Sequence, residues 1–243
     1  MSIQRISDSQ KSFLRNVILF ADLNLVDLER IALLLESREY PKNQYIFRQD
    51  DPGRQLYIVL KGKVRIFKVN SHGNETSINI FAKHDVFGEF AAIDNKPRSA
   101  NAKTIVPSIL LSMSQQNFLS CLADLPDLTV GLTRLLARKA RWTAAYAEAV
   151  AQYDTASCLL HILLFYNEQF GQKLSDHTYL LDLALTQADL ASLVGTRREW
   201  INRILRDWQE RQLIEYQAGK IIILDLPRVI DERNTRLSTA RKY

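Results

Sequence analysis

The sequence predicts an α+β chain: an N-terminal antiparallel β-roll of jelly-roll type with flanking helices, then a long helix, then a C-terminal winged helix-turn-helix. Three observations carry this expectation. Between Tyr40 and Met113, short β-rich runs (YIF, LYIVL, KVRIFKV, TSINIF, SILLSM) are divided by Pro52-Gly53, Gly62, His72-Gly73-Asn74 and Pro107, the regular spacing of an antiparallel barrel or roll. From Pro126 no proline recurs until Pro227, and the stretch opens with alanine and leucine at recurrent positions. In LTQADLASLVGTRREWINRILRDWQE, two helical patterns flank Gly195.

Composition bounds the rest. At 243 residues, with 47% hydrophobic and 24% charged residues, the chain buries a full core and is expected to hold more than one domain. No run approaches the roughly 18 apolar residues of a membrane span, so neither export nor insertion is expected and the cytoplasm is the expected location. Cys121 and Cys158 form neither a disulfide framework nor a metal cluster and read as buried small hydrophobes of a reducing compartment. A formal charge of +5 favours an anionic partner only mildly.

Each element has a local reason. Val17, Leu23, Leu28, Ile31 and Leu35 recur at helical spacing, which predicts helix from Ser12 to Ser37. The roll follows, and with it the expected sensor domain, residues 1–125. Residues 126–154 are expected to be a dimerisation helix and hinge. A helix from Leu128 to Tyr153 needs a partner surface, and a second copy of the same helix supplies one; the alternative is packing on its own domain. Residues 155–243 form the expected DNA-binding domain.

In that domain Thr186 precedes a short helix whose inward face is Leu190, Leu193 and Val194, and Gly195 permits a tight turn. Thr196 and Glu199 fit a capping box for the second helix, and Ile201, Ile204, Leu205 and Trp208 form its buried stripe. Arg198, Glu199, Asn202, Arg203 and Arg206 occupy the opposite face. LIEYQAGKIIIL then reads as two strands around Gly219, a wing. A helix-turn-helix places the start of its second helix on base edges in the major groove; the competing reading is a merely solvated face. From Thr186 to the C-terminus there are 11 basic and 8 acidic residues, so placement of the arginines rather than their number carries the argument. Thr186, Gln187, Thr196, Arg197, Arg198, Glu199, Asn202 and Arg203 are the expected DNA-facing set, with Arg211 and Lys220 neutralising phosphates.

The segment GEFAAIDNKPRSA, residues 88–100, puts an acid and a base at opposite ends of a small-residue loop. Gly88, Ala91 and Ala92 let backbone approach a ligand, and a helical turn starting near Glu89 aims N–H groups at an anion. Arg98 offers a planar fork for phosphate, Ser99 adds a hydroxyl, and Glu89 accepts from a ligand hydroxyl. An internal Glu89–Arg98 ion pair holding a turn is the other reading.

This segment, with its Gly-Glu opening and Pro-Arg-Ser-Ala close, resembles the phosphate-binding cassette of cyclic-nucleotide-binding domains. Joined to the long helix and the winged helix-turn-helix, it resembles the CRP/FNR family of bacterial transcription regulators, near the catabolite activator branch, over nearly the whole chain. The resemblance implies that Glu89 accepts from a ribose 2′-hydroxyl, that Arg98 and Ser99 hold a cyclic phosphate with backbone near Gly88 and Phe90, and that Ala91 and Ala100 complete the cassette. It places Thr143 against the base, with Ala144 where the family often has a second polar residue. Arg198, Glu199 and Arg203 match an Arg-Glu-x-x-x-Arg pattern that reads TGTGA-like half-sites, whereas Trp200 and Asn202 replace small residues. The implied partners are double-stranded DNA, a cyclic mononucleotide (cAMP, or alternatively cGMP or both), a second copy of the chain, and RNA polymerase; a ligand-independent regulator is the further alternative. No N-terminal cysteine group for an iron–sulfur cluster is present. His72 and His84 read as surface or turn residues rather than haem ligands, and His161 as a core residue. Neither a metal site nor catalytic residues are expected, since no GxSxG or P-loop occurs, and the nucleotide is an effector rather than a cofactor.

Overall fold

The computed structural model describes residues 12–240, with side chains to residue 237. The chain divides into two compact units between Ala140 and Arg141.

In the first unit a 3₁₀ turn, Ile18–Phe20, precedes α1, Leu25–Leu33. The Asn24 side chain accepts from the Asp27 N–H at 3.0 Å and starts α1 afresh, so the expected helix over residues 12–37 is broken at both ends. Beyond it, Glu36–Tyr40 is β1, paired along all five residues with β8; that ladder supplies hydrogen bonds that the short helix cannot. Val17, Leu23, Leu28, Ile31 and Leu35 are buried as expected. β2 (Tyr45–Phe47), β3 (Gln55–Lys61), β4 (Val64–Val69), β5 (Glu75–Phe81) and β6 (Val86–Phe87) follow, then α2 (Glu89–Asp94), β7 (Asn101–Thr104) and β8 (Ser108–Ser114). Among the described residues these strands form two antiparallel four-stranded sheets, ordered β1-β8-β3-β6 and β2-β7-β4-β5. Tyr40, Tyr57, Val59, Val64, Phe87, Ala102 and Leu110 fill the space inside the roll.

α3 (Gln115–Asp124) and α4 (Pro126–Gln152) come next. The first half of α4 buries Leu128, Leu132 and Leu135 in a second core with Leu14, Leu19, Phe20, Leu28, Leu56 and Phe118. Gly131 is required there, because a Cβ at that position would lie 2.2 Å from the Leu19 carbonyl oxygen.

The second unit begins within α4. Trp142 stacks on Phe165 of α5 (Thr155–Phe170) with centroids 3.8 Å apart, and the Tyr146 hydroxyl donates to the Leu193 carbonyl at 2.7 Å. Asp154 separates the two helices and caps α5 through the Ser157 N–H, 2.8 Å. β9 (Gln172–Lys173), β10 (Tyr179–Asp182), α6 (Gln187–Leu193), α7 (Arg198–Glu210), β11 (Ile214–Gln217), β12 (Lys220–Ile223) and α8 (Leu226–Ala240) complete it. The sheet order is β11-β12-β10-β9, so the expected wing is the β11–β12 pair, with β10 and β9 added beside it. Cys121 and Cys158 are free thiols in the interior, and burial pushes Cys158 up to about 11.

No expectation covered α8, and it braces α7. Arg211, at the α7 C-terminus, makes a two-pronged contact with Glu232, one prong at 2.9 Å. Arg236 Nε donates to the same carboxylate at 2.7 Å, and Arg228 donates to the Arg211 carbonyl at 3.1 Å. Arg211 is therefore committed to Glu232 and Asp207, and Lys220 lies 3.6 Å from Asp182. The Arg211 hydrogen bond is the main cause that holds the Glu232 carboxyl at about 2, below its ordinary 4.5, with Arg236 assisting.

A depressed carboxyl contributes stability above its unfolded pKa and loses it as pH falls through the folded one. Glu232→Gln should therefore lower the stability of the second unit at pH 7 by about 1 kcal/mol, a modest figure because Arg211 is partly exposed. In urea unfolding, the gap between wild type and variant should close as pH falls from about 4.5 towards about 2. A gap that is constant across this range would show that the charge is not what matters.

Candidate ligand and nucleic-acid sites

The loop of residues 88–100 is built from β6, α2 and the approach to β7. Gly88 precedes α2 with φ at +79°, and a Cβ there would lie 2.7 Å from Arg98 Nη1; both the conformation and the close approach demand glycine. Glu89, the first residue of α2, is 1% exposed. Ala91 and Ala92 are buried, and Ala91 is packed so closely on Gly53 that a Cβ on Gly53 would overlap it. The alanines thus admit a neighbouring strand turn. Ala100 is buried, and the Phe90 ring and Ser99 face outward.

Arg98 is 3% exposed. Its Nη1 donates to the Gly88 carbonyl at 2.7 Å and its Nη2 to the Gln55 carbonyl at 2.6 Å, while its Cζ sits 4.2 Å from the centroid of the Phe47 ring. Burial lowers the pKa of Arg98, and nearby Tyr57 and Glu89 oppose that shift. The backbone on both sides is tied down, Arg98 N–H to Asp51 O and Asp50 N–H to Arg98 O, each at 2.9 Å.

Glu89 does not pair with Arg98. Its Oε1 accepts from Lys139 Nζ of α4 at 2.7 Å, and the same ammonium donates to the Val86 carbonyl at 2.8 Å. Beside it Arg138 contacts Asp85 at 3.3 Å; burial raises the pKa of Asp85, opposed by the Ala82 N–H and Arg138. Two consecutive helix residues thus hold the acids on either side of β6. Lys139 belongs to the site and was missed in the sequence, where it is one cation of the run ARKAR; nothing local marks which of these reaches an acid 50 residues away. Two polar atoms of the loop remain buried without a hydrogen-bond partner: Glu89 Oε2 and Arg98 Nε. Thr143, one turn beyond Lys139, falls in the second unit.

In the second unit Thr186 caps α6 in a reciprocal capping box with Asp189: the threonine hydroxyl accepts from the Asp189 N–H at 3.2 Å and the Thr186 N–H donates to Asp189 Oδ2 at 2.9 Å. Gln187 is the first residue of α6. The box expected at Thr196 and Glu199 does not form. Thr196 donates its N–H to the Ala191 carbonyl and completes the turn through Gly195, so α7 starts one residue later, with Arg197 at the cap and no side-chain cap. Glu199 is thereby free of any capping bond. Ile201, Leu205 and Trp208 are buried, whereas Arg197, Arg198, Glu199, Asn202, Arg203 and Arg206 are exposed. Such a face presents two-pronged arginine donors and a carboxylate acceptor, the chemistry that reads guanine and cytosine edges. Trp200, 52% exposed, lies beside it.

Residues 37–124 match the family model described as a cyclic nucleotide-binding domain, and residues 155–231 match the Crp-like helix-turn-helix domain. The CRP-like cAMP-activated global transcriptional regulator of Mycobacterium tuberculosis is 31% identical over 195 residues, covering 80% of this chain and 87% of that protein. The cyclic AMP receptor protein of Thermus thermophilus is 27% identical over 203 residues, 84% of this chain and 90% of that one. Among solved structures, FixK2 from Bradyrhizobium japonicum superposes with a TM-score of 0.73 over 82% of this chain and 97% of that chain, at 17% identity a likeness of fold alone.

Removing one partner of a buried pair leaves an uncompensated charge. Lys139→Ala should accordingly destabilise the first unit by about 3 kcal/mol or more, and adding Glu89→Gln should restore most of that loss. Urea unfolding of the single and double variants decides it; additive losses would mean that the two side chains do not depend on each other.

Proposed function

Because the chain belongs to the CRP/FNR family of transcription regulators, we propose that it works as a homodimer that binds cAMP in the roll and a pseudo-palindromic, TGTGA-like DNA site through its two helix-turn-helix units. It carries a cyclic nucleotide-binding domain and a Crp-like helix-turn-helix domain, and regulators rather than enzymes make up the family.

The observation that supports the ligand reading is the pair of orphaned atoms, Glu89 Oε2 and Arg98 Nε, at opposite ends of one loop. A buried polar atom without a partner costs about 1–3 kcal/mol. A ribose hydroxyl donates to the first, and a cyclic phosphate accepts from the second with the exposed Ser99 hydroxyl beside it. Gly88, Phe90, Ala91 and Ala100 shape the cassette backbone. The preference for cAMP over cGMP rests on the relatives named for cAMP. Lys139 gives the effector a handle on α4: a ribose hydroxyl on Oε2 shares the carboxylate whose Oε1 holds Lys139. With Thr143 one turn on, that linkage biases the register of the paired long helices, for which residues 126–154 serve as dimer helix and hinge. Thr186, Gln187, Thr196, Arg197, Arg198, Glu199, Asn202 and Arg203 face DNA, in a cytoplasmic protein that also engages RNA polymerase.

A second reading has its own observation. Glu89 is already paired with Lys139, and Arg98 already bonds two carbonyls, so the loop is largely satisfied by the chain itself; this is what a regulator that needs no ligand would show. CLP of Xanthomonas campestris, a c-di-GMP responsive regulator alike at 22% identity and a TM-score of 0.69, shares the fold alone, so c-di-GMP serves as a comparison ligand.

Titration calorimetry of the full chain with cAMP, cGMP and c-di-GMP separates these readings: heat with cAMP first supports the proposal, and none with any of the three supports the ligand-independent regulator. 2′-Deoxy-cAMP should bind the unaltered protein about 1.5–3 kcal/mol more weakly than cAMP, the worth of a hydrogen bond to a charged group, and should show no such deficit against Glu89→Ala. Arg98→Ala should cost about 2–5 kcal/mol of affinity, with the circular dichroism of the roll as the check on folding.

Two recognition helices in a twofold dimer require half-sites about one helical turn, ~34 Å, apart. Selection from random DNA should return a motif with dyad symmetry, and Arg198→Ala should relax it at one symmetric pair of positions at a cost of about 1–3 kcal/mol. A motif without dyad symmetry, or one that Arg198→Ala leaves unaltered, would place the DNA contacts elsewhere.

A further inference from the structure

Trp200 is the one large apolar side chain that α7 leaves exposed among the described residues, 52% accessible, while Ile201, Leu205 and Trp208 of the same helix are buried. It adds little to the core. What it touches is Arg203, three residues on and thus on the same helix face: the guanidinium carbon lies 4.7 Å from the centroid of the indole ring. Besides that ring contact, the Arg203 side chain has no hydrogen bond or ion pair among the described residues. Asp207, one turn further, is drawn instead to Arg211 at 3.3 Å.

The chemistry of a guanidinium gives this arrangement a consequence. A guanidinium that lies over a ring can rest its planar face there and keep its N–H edge free, whereas an ion pair would occupy that edge. A two-pronged contact with guanine O6 and N7 needs the guanidinium plane held near that of the base, and an unstacked arginine must give up rotamer freedom to reach it. We propose that Trp200 is a positioning residue for sequence readout: the indole holds Arg203 flat, edge outward, so that one guanine of each half-site is discriminated. This inference rests on the DNA-binding reading given above.

The test measures Kd for the selected site, for the same site with each base pair exchanged in turn, and for unrelated DNA. The proteins are the unaltered chain, Trp200→Ala, Trp200→Phe, Trp200→Leu, Arg203→Ala and the double variant Trp200→Ala/Arg203→Ala. Trp200→Ala should lose about three- to tenfold in discrimination, at the same base pair that Arg203→Ala affects, with unchanged affinity for unrelated DNA and unchanged thermal stability. Trp200→Phe, which keeps a ring face, should retain most of the discrimination, and Trp200→Leu, which keeps only apolar bulk, should not. The double variant should discriminate no worse than Arg203→Ala alone. Full discrimination in Trp200→Ala, an equal loss at every position, equivalence of Leu and Phe, or additive losses would each overturn the proposal. Failure of the unaltered chain to select any motif would instead overturn the DNA-binding reading, and this proposal with it.

Discussion

A carboxylate that is 1% exposed needs a counter-charge, and for Glu89 that counter-charge comes from Lys139 on α4. Much of the first unit depends on this pair. In the low dielectric around the roll the two charges attract strongly, and either one left alone would be costly. The pair therefore fixes the start of α2, through Glu89, and the start of β6, through the Val86 carbonyl that shares the ammonium. Arg138 at Asp85 adds a second tie from the next helix residue. Consecutive residues on a helix point about 100° apart, so the two side chains straddle β6 and resist rolling of α4 about its own axis. The apolar contacts of Leu128, Leu132 and Leu135 hold α4 near the roll without such directional preference.

Most of the fold was legible where burial leaves a periodic trace. The strands around LYIVL and SILLSM lie side by side in one sheet, β3 paired with β8, and their apolar character announces it. ESREY and NAKT carry no such trace: four of five β1 residues are exposed, and each strand exists because a neighbouring edge offers hydrogen bonds. The same reason hid the end of the first helix, whose apolar period runs on through Leu35 although the backbone has already turned towards β1. α8 escaped notice because its role is polar. Its Glu232 serves Arg211 and Arg236, and such contacts leave no hydrophobic period to read.

At the sites, residue types were legible and partners were not. The loop 88–100 announces an acid and a base, yet both readings of the sequence paired Glu89 with something other than Lys139. Long-range ion pairs have no spacing rule, so no local pattern picks Lys139 out of ARKAR. The two threonine signals show a second limit. Thr186 with Asp189 and Thr196 with Glu199 offer the same three-residue interval, and only the first forms a box. The second threonine is drawn into the turn by its N–H bond to Ala191, which a motif search does not see. Trp200 was visible as a departure from the small residue expected there; its contact with Arg203 needed coordinates.

The brace behind α7 bears on how this domain can be rebuilt. Arg211 closes the last turn of α7, and it is gripped by Glu232 while its carbonyl receives Arg228. Both partners lie in α8, beyond the wing. The helix that faces outward with Arg198, Glu199 and Arg203 is therefore not a portable cassette. A chimera that transplanted residues 198–211 into another scaffold would keep the Arg211–Asp207 contact but lose the two-pronged acceptor Glu232, and a host tail lacking an acid at that position would leave the end of the graft unbraced. The transferable unit extends beyond the wing to Arg236 and, on the other side, takes in β10, which pairs with β12; it includes residues remote from the exposed face of α7.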